Sequence, residues 1–254
     1  MAIRAVLFDL GDTLWHFPVL PPREKIRNET VRRIFTLLRS WGIEPTDELR
    51  FLGRDIRLAV VKAERTAYDG DCISAHYPTL IGQIAASKGL ELSPERAEQL
   101  WHAWNLGGIF LGRRLLDGAI EMLEALRGRG YTLGSVTNRS YGGSKFLEEV
   151  DELGLGQFFD EITISCDLGY MKPHRKIFEH ALNALGVEPE ETVMVGDSLR
   201  ADVAAAQALG MTAVWLRPPN PREELDGYRP DFVVEELLEI EKLSCFRPSP
   251  QSSA

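Results

Sequence analysis

The sequence is poor in cysteine, and its histidines lack the spacing of a metal site. The three cysteines, Cys72, Cys166 and Cys245, lie far apart along the chain. An odd, scattered set of this kind fits free thiols in a reducing compartment better than a disulfide framework. The histidines likewise show no zinc-ligand spacing, so a zinc site is not expected. They are His16, His76, His102, His174 and His180.

Long hydrophobic runs are also missing. The first apolar run follows Arg4 and stops at Asp9, which is unlike a signal peptide, and no stretch has the length of a membrane span. The formal net charge of -9 disfavours nonspecific binding to nucleic acid or to an anionic membrane surface. A phosphate ligand remains compatible with this charge, because a bound cation can reverse its sign locally. We therefore expect a cytoplasmic protein with a small-molecule substrate and with neither a nucleic acid nor a membrane as partner.

The hydrophobic pattern divides the chain into a helical block and a block of alternating strands and helices. Helical periodicity predicts helices over 24–41, 47–68, 77–88 and 94–104, with no convincing strand between Trp15 and Arg114. From Asp117 onward, predicted strands alternate with predicted helices. This alternation indicates an α/β fold, in which a parallel sheet has helices on both faces. The helical block is then a second domain, inserted after the first strand.

Polar residues follow the predicted strands where those strands end. The apolar run Ala5–Phe8 is followed by Asp9, a later strand finishes at Thr137, and two others are followed by Lys172 and Asp197. In open α/β sheets, ligands bind at the carboxyl ends of the strands, beside the point where the strand order reverses. If these strands are parallel neighbours, the sequence therefore predicts one cleft that contains all four side chains.

The four side chains suit the chemistry of phosphoryl transfer. Asp9 and Asp197 offer the oxygen ligands that Mg²⁺ prefers. The metal and Lys172 would neutralise the oxygens of the phosphoryl group, while Thr137 and nearby backbone amides hydrogen-bond them. Asp9, kept ionised by these cations, can then attack phosphorus and form an aspartyl-phosphate, which water hydrolyses.

The four segments, taken in order, resemble the motifs of the haloacid dehalogenase-like (HAD) hydrolases. The matching residues are Phe8-Asp9-Leu10-Gly11-Asp12-Thr13-Leu14, Val136-Thr137-Asn138, Lys172-Pro173, and Gly196-Asp197 through Asp202. The resemblance implies a Rossmann-like, doubly wound core with an all-helical cap inserted after the first motif. The domains implied are a core of 1–15 and 116–247, a cap of 16–115 and a disordered tail of 248–254.

The resemblance also implies roles for individual residues. Asp9 corresponds to the nucleophile of the family's phosphatases. The phosphate ligands implied are Thr137, Asn138 and Lys172. The magnesium ligands implied are Asp9, the backbone carbonyl of Gly11 and Asp197, with Asp202 acting indirectly. The substrate expected from these roles is a small phosphomonoester.

One position departs from the pattern of the family's phosphatases. They usually carry a second aspartate two residues after the nucleophile, which protonates the leaving oxygen, whereas this chain has Gly11 there and Asp12 next. Losing a general acid typically costs about 10²–10⁴-fold in rate. An aspartate tolerates a left-handed backbone better than most residues, so the loop can still form, with Asp12 as the candidate replacement acid.

Gly11 leaves two other functions open beside a magnesium-dependent phosphatase. In a 2-haloacid dehalogenase the same aspartate attacks carbon, and those relatives also lack the second acid, but they do not normally keep a metal-binding pair such as Gly196-Asp197. The other alternative is a catalytically weak relative that binds a phosphorylated ligand or a protein partner.

Overall fold

A parallel sheet of six strands forms the centre of the molecule. The computed structural model describes residues 2–221, 225 and 227–246, and the tail predicted at 248–254 lies outside them. The strands in chain order are β1 (Ala5–Phe8), β2 (Trp15–His16), β3 (Arg114–Leu115), β4 (Thr132–Thr137), β5 (Glu161–Ile164), β6 (Thr192–Gly196), β7 (Thr212–Leu216) and β8 (Phe232–Val234). The order across the main sheet is β5-β4-β1-β6-β7-β8, and β2 pairs only with β3.

Helices surround this sheet and also fill the segment between β2 and β3. The helices of that segment are α1 (Arg23–Ser40), α2 (Leu52–Asp69), α3 (Tyr77–Ala86) and α4 (Pro94–Trp104). Those that follow β3 are α5 (Ala119–Gly128), α6 (Gly143–Glu152), α7 (Ser165–Leu168), α8 (Arg175–Leu185) and α9 (Ala205–Gln207). The predicted α/β fold with an inserted helical block is confirmed.

The first strand is buried on both faces, as its unbroken apolar sequence predicts. Every residue of Ala5–Phe8 is fully buried. Phe8 belongs to a core that includes Phe146 of α6, whereas Leu7 belongs to a second core with Phe178 of α8. Because neighbouring side chains of a strand point to opposite faces, the two cores identify the two helical layers of a doubly wound sheet.

The chain leaves the core and returns to it through a short antiparallel pairing. Trp15 pairs with Leu115 and His16 with Arg114, so β2 and β3 lie side by side at the base of the helical insertion. The sequence does not reveal either strand, because two residues are too few to give a strand pattern. This pairing lies at the domain boundary that we propose between 15 and 16 and between 115 and 116.

The last helical segments differ from an α-helix. Leu237–Lys242 is a 3₁₀ helix, and Leu199–Ala204 forms a π-helix before α9. The helix over Pro94–Trp104 begins as its sequence predicts, since the Ser93 side chain accepts a hydrogen bond from the Arg96 N–H.

None of the helices in the described ranges combines the length and the apolar character needed to cross a membrane.

Candidate active site

Three adjacent strands deliver polar residues to one edge of the sheet. Strand β1 lies between β4 and β6, so Asp9, which follows β1, is flanked by Thr137 at the end of β4 and by Asp197 after β6. The Asp9 N–H donates to the Val195 carbonyl at 2.9 Å, which continues the pairing of β1 with β6. The chain runs outward from β1 through β4 to β5 and then returns to β6, so the strand order reverses beside Asp9. This is the place where an open α/β sheet binds its ligands.

Lys172 lies between two carboxylates of this edge. Its Nζ is 2.6 Å from Asp9 Oδ1 and 2.7 Å from Asp202 Oδ1, and its side chain is 2% exposed. Burial by itself would lower the pKa of this ammonium group, but the carboxylates of Asp202 and Asp9 more than offset burial and raise it. Lys172 is therefore a permanent buried cation that connects the first motif to the last.

The edge carries more negative charge than one lysine can balance. Asp9, Asp197 and Asp202 can each place a carboxylate oxygen within 4.8 Å of the others. Burial, together with the carboxylates of Asp9 and Asp202, raises the pKa of Asp197 to about 8. Burial also raises the pKa of Asp202, to about 6, although Lys172 opposes this shift. A cluster of oxygen donors with uncompensated negative charge fits a hard divalent cation such as Mg²⁺.

The π-helix positions the Asp202 carboxylate against Lys172 and the Ser198 backbone. The Val203 N–H reaches back five residues to the Ser198 carbonyl at 3.2 Å. Asp202 then uses both carboxylate oxygens, since Oδ1 binds Lys172 and Oδ2 accepts a hydrogen bond from the Ser198 N–H at 3.0 Å. The indirect role that the resemblance implies for Asp202 stays a prediction. Single π-turns are common at functional sites.

Gly196 is required by the close approach of this carboxylate. A Cβ atom at position 196 would lie 2.3 Å from the carboxyl carbon of Asp202. No larger residue fits there without moving Asp202, and moving Asp202 would also move its partner Lys172.

Asn138 has a role that the sequence did not reveal. Its side-chain Nδ2 donates to the Lys172 carbonyl at 2.9 Å, and its Oδ1 accepts from the Lys172 N–H at 2.7 Å. Both polar atoms of the side-chain amide thus contact the Lys172 backbone, and the phosphate contact implied for Asn138 stays a prediction. The two residues are 34 apart in the chain, and no local pattern connects them.

The loop after Asp9 adopts the backbone that its sequence allows. Asp12 has a φ of 56°, in the left-handed region, and its N–H donates to the Trp15 carbonyl at 2.7 Å. Asp12 is exposed, but it is close enough to Asp197 to raise the pKa of that carboxyl. A Cβ at Gly11 would meet only the indole Nε1 of Trp15, at 3.9 Å, so this position has room for a side chain.

Comparison with known proteins identifies the family. Residues 3–210 match the profile of the haloacid dehalogenase-like hydrolases. The chain belongs to this family. It is 32% identical over 246 residues to the glyceraldehyde 3-phosphate phosphatase of Methanopyrus kandleri, in an alignment that covers 94% of this chain and 97% of that protein.

Solved structures of HAD proteins have the same fold. A HAD phosphatase from Thermococcus onnurineus superposes with a TM-score of 0.58 at 28% identity, over 94% of this chain and 97% of that one. A 2-haloacid dehalogenase from Pseudomonas syringae superposes with a TM-score of 0.60 at 24% identity, over 94% of this chain and 97% of that one. The second likeness is one of fold alone.

In this HAD hydrolase, the helical insertion touches the segment that directly precedes Lys172. The Ser74 N–H donates to the Gly169 carbonyl and the Met171 N–H donates to the Cys72 carbonyl, each at 2.9 Å. This backbone pairing extends from the insertion to the residue directly before Lys172. Insertion and core are therefore joined by hydrogen bonds at the site itself.

A second contact lies on the other side of the cleft, at the loop after β4. The Trp101 Nε1–H of α4 donates to the Ser140 carbonyl at 2.9 Å. Glu64 of α2 also hydrogen-bonds the Ser140 side chain, and burial raises the pKa of this glutamate. The sequence did not indicate these residues, because contacts between separate helical segments leave no local pattern.

Proposed function

We propose that this HAD hydrolase is a magnesium-dependent phosphatase that hydrolyses a small phosphorylated metabolite through an aspartyl-phosphate on Asp9. The observation that carries the proposal is the chain of contacts from Asp9 through Lys172 to Asp202, beside the carboxylate of Asp197. A cation bound next to the attacking carboxylate is what a trianionic phosphoryl transition state requires. The phosphatase name of the Methanopyrus relative supports the same reaction.

The carboxylate cluster supports the assignment of Mg²⁺ as the cofactor. Asp9, Asp197 and the backbone carbonyl of Gly11 would hold the ion, with Asp202 positioning Lys172 rather than binding the metal directly. When bound, Mg²⁺ would supply positive charge for the phosphoryl oxygens and hold the Asp197 carboxyl in its ionised form.

The chain's own residues account for the two chemical steps. One carboxylate oxygen of Asp9 attacks phosphorus, forming an O–P bond while the ester O–P bond to the leaving alcohol breaks. Lys172, and Thr137 at the end of β4, would stabilise the phosphoryl oxygens. Water then attacks phosphorus, so that inorganic phosphate leaves and the Asp9 carboxylate is restored.

The leaving oxygen must gain a proton in the first step, and Gly11 has no side chain to supply one. Asp12 is the nearest acid in sequence, and its effect on the Asp197 pKa places it within electrostatic reach of the site. We propose Asp12 as the proton donor in place of a residue at position 11. Because Asp12 is exposed to solvent, we expect slow turnover on substrates with a poor leaving group.

The dehalogenase alternative is disfavoured by the same cluster. Attack on carbon creates no extra phosphoryl charge, so it gives no reason to gather Asp197 and Asp202 around Asp9 at the cost of raised pKa values. Halide release from 2-haloacids that continues undiminished in a chelator would favour this alternative. The largely helical insertion, 16–115, would act as the cap that excludes water and selects the substrate.

The function is tested by measuring phosphate release from a panel of phosphomonoesters, with Mg²⁺ and with a chelator. We expect release only with Mg²⁺, and its loss in the Asp9→Asn variant. A matched control is Asp160→Asn, because Asp160 pairs with Arg127 away from the cleft. Release that is equal in chelator, or that persists in Asp9→Asn, would contradict the proposal.

A further inference from the structure

Arg139 is a cation of the cleft that the proposed reaction does not use. It follows Thr137 and Asn138 at the end of β4, and its guanidinium lies over the Phe146 ring at 5.2 Å. Within the part of the chain that the structure describes, the Arg139 side chain has no hydrogen bond and no carboxylate within 4.0 Å. A partly buried guanidinium without a counter-ion is costly unless a ligand supplies one.

The neighbouring acids are already committed elsewhere. Glu149 Oε2 lies 3.0 Å from Arg113 Nη1 and also accepts a hydrogen bond from the Gly108 N–H at 2.9 Å. Arg113 is buried, with its guanidinium 4.4 Å from the Trp15 ring, so it cannot release Glu149 to solvent-facing partners. Two guanidinium groups thus share one carboxylate, which leaves one positive charge unbalanced.

The acid that approaches from the insertion is a weak counter-ion. Glu64 interacts electrostatically with Arg139, but burial raises the Glu64 pKa and its carboxyl is hydrogen-bonded to Ser140. Burial in turn lowers the pKa of Arg139, with Glu149, Asp9 and Glu64 only partly opposing the shift. Among the described residues, the protein therefore leaves this guanidinium without a full counter-charge.

The position of Arg139 relative to Asp9 suits the far end of a substrate. Asp9 and Arg139 are close enough for their charges to interact, yet they share no ion pair. A phosphoryl group held at Asp9 and Lys172 would direct the rest of a small substrate along the loop after β4. The group that reaches Arg139 should be an oxyanion, which a planar guanidinium binds through paired hydrogen bonds.

We propose that Arg139 binds a carboxylate on the non-reacting end of the substrate, so that the substrate class is a phosphorylated carboxylic acid. The inference rests on the proposed phosphatase function for the phosphoryl end. Arg113 and Arg139 together carry one positive charge more than Glu149 balances, and a carboxylate supplies one negative charge. A second phosphate group, with a charge near -2 by its second ionisation, would overcompensate it.

The test compares substrates that differ only in this group. Phosphoglycolate is paired with hydroxyethyl phosphate, and phosphoglycerate with glycerol phosphate, so that a carboxylate replaces a neutral hydroxymethyl group of similar size. We expect the wild-type protein to favour the acid in at least one pair by about 10- to 100-fold in kcat/KM, the range of a hydrogen bond to a charged group. Arg139→Gln should abolish this ratio, and Arg139→Lys should retain part of it.

The matched control is Arg129→Gln, because Arg129 pairs with Glu241 outside the cleft. Arg129→Gln should keep the wild-type ratio of kcat/KM between acid and neutral substrate. A merely structural role of Arg139 would lower the rates for both members of a pair without changing that ratio. Equal rates within both pairs for the wild-type protein, or a preference that survives in Arg139→Gln, would overturn the inference.

A failure of the proposed phosphatase function would look different. If none of these compounds releases phosphate with Mg²⁺, the same pairs are titrated calorimetrically into the wild-type and Arg139→Gln proteins. A higher affinity for the acid than for its neutral partner, lost in Arg139→Gln, supports the carboxylate site. Equal affinities within each pair contradict it.

Discussion

Lys172 Nζ lies 2.7 Å from Asp202 Oδ1, and this buried ion pair connects the third motif of the chain to the fourth. Both side chains are 2% exposed. Asp202 does not need to touch the substrate to matter, because it holds the cation that faces Asp9. We therefore propose Asp202 as a positioning residue for Lys172.

Replacing Asp202 should therefore impair the reaction without removing any group that reacts. In Asp202→Asn, Lys172 keeps only Asp9 as a charged partner and is drawn towards the nucleophile. We expect kcat to fall by about 10- to 100-fold, the range typical of residues that orient a reactive group. Steady-state kinetics with a circular dichroism spectrum would measure this, and an unchanged kcat in a folded variant would refute the role.

Asn138 should act on Lys172 through the backbone. Asn138→Ala removes both hydrogen bonds to Lys172, whereas Asn138→Asp keeps only the acceptor for the Lys172 N–H. We expect kcat to fall in both variants, and further in Asn138→Ala, with the melting temperature lowered in the same order. Equal kcat values for wild type and Asn138→Ala would show that the lysine is held without this residue.

The raised pKa of Asp197 predicts how the stability of the metal-free protein depends on pH. The unfolded carboxyl titrates near 3.8 and the folded one near 8. Between these values the folded protein retains a proton that the unfolded chain has lost, so the free energy of unfolding falls as pH rises. Thermal denaturation in chelator should show a decline between about pH 5 and about pH 8 that Asp197→Asn reduces.

Magnesium should reverse that dependence, since it replaces the proton on Asp197. Mg²⁺ affinity should increase over the same pH interval and level off above it, and binding should release protons into a weak buffer. If Mg²⁺ affinity depends on pH equally in the wild type and in Asp197→Asn, the released proton does not come from Asp197.

Restoring an acid at position 11 should accelerate turnover. A Cβ at Gly11 meets only the Trp15 indole at 3.9 Å, and this indole N–H is buried without a hydrogen-bond partner among the described residues. Gly11→Asp should therefore fold and raise kcat by about 10-fold or more on substrates with poor leaving groups. Gly11→Asn is the control, because it has the same shape but no proton to give, and an equal gain in both would rule out acid catalysis.

The sequence predicted the parts of this molecule that depend on local patterns. Helical periodicity located the helix Pro94–Trp104 at its observed ends. The sequence also predicted that Asp9 and Asp197 would share one cleft if their strands were neighbours, and β1 does lie beside β6. These features follow from burial and from the strand-helix alternation, which a single sequence displays.

Other parts depend on contacts between distant segments. The hydrogen bonds of Asn138 with Lys172, and the unpaired charge of Arg139 beside Arg113 and Glu149, have no signature in the residues that flank them. The two-residue pairing of β2 with β3 is too short to produce alternation. The π-turn at Leu199–Ala204 is equally hidden, because its sequence has an ordinary helical composition.

The central claim is that Asp9 becomes phosphorylated during turnover, and acid quenching tests it most directly. The protein is mixed with Mg²⁺ and a radiolabelled phosphomonoester that it hydrolyses, quenched within one turnover, and the peptide that contains Asp9 is analysed by mass spectrometry. The account predicts a phosphoryl group on Asp9 that accumulates before phosphate is released and is absent from Asp9→Asn. Phosphate release with no label on Asp9 at any quench time would contradict it.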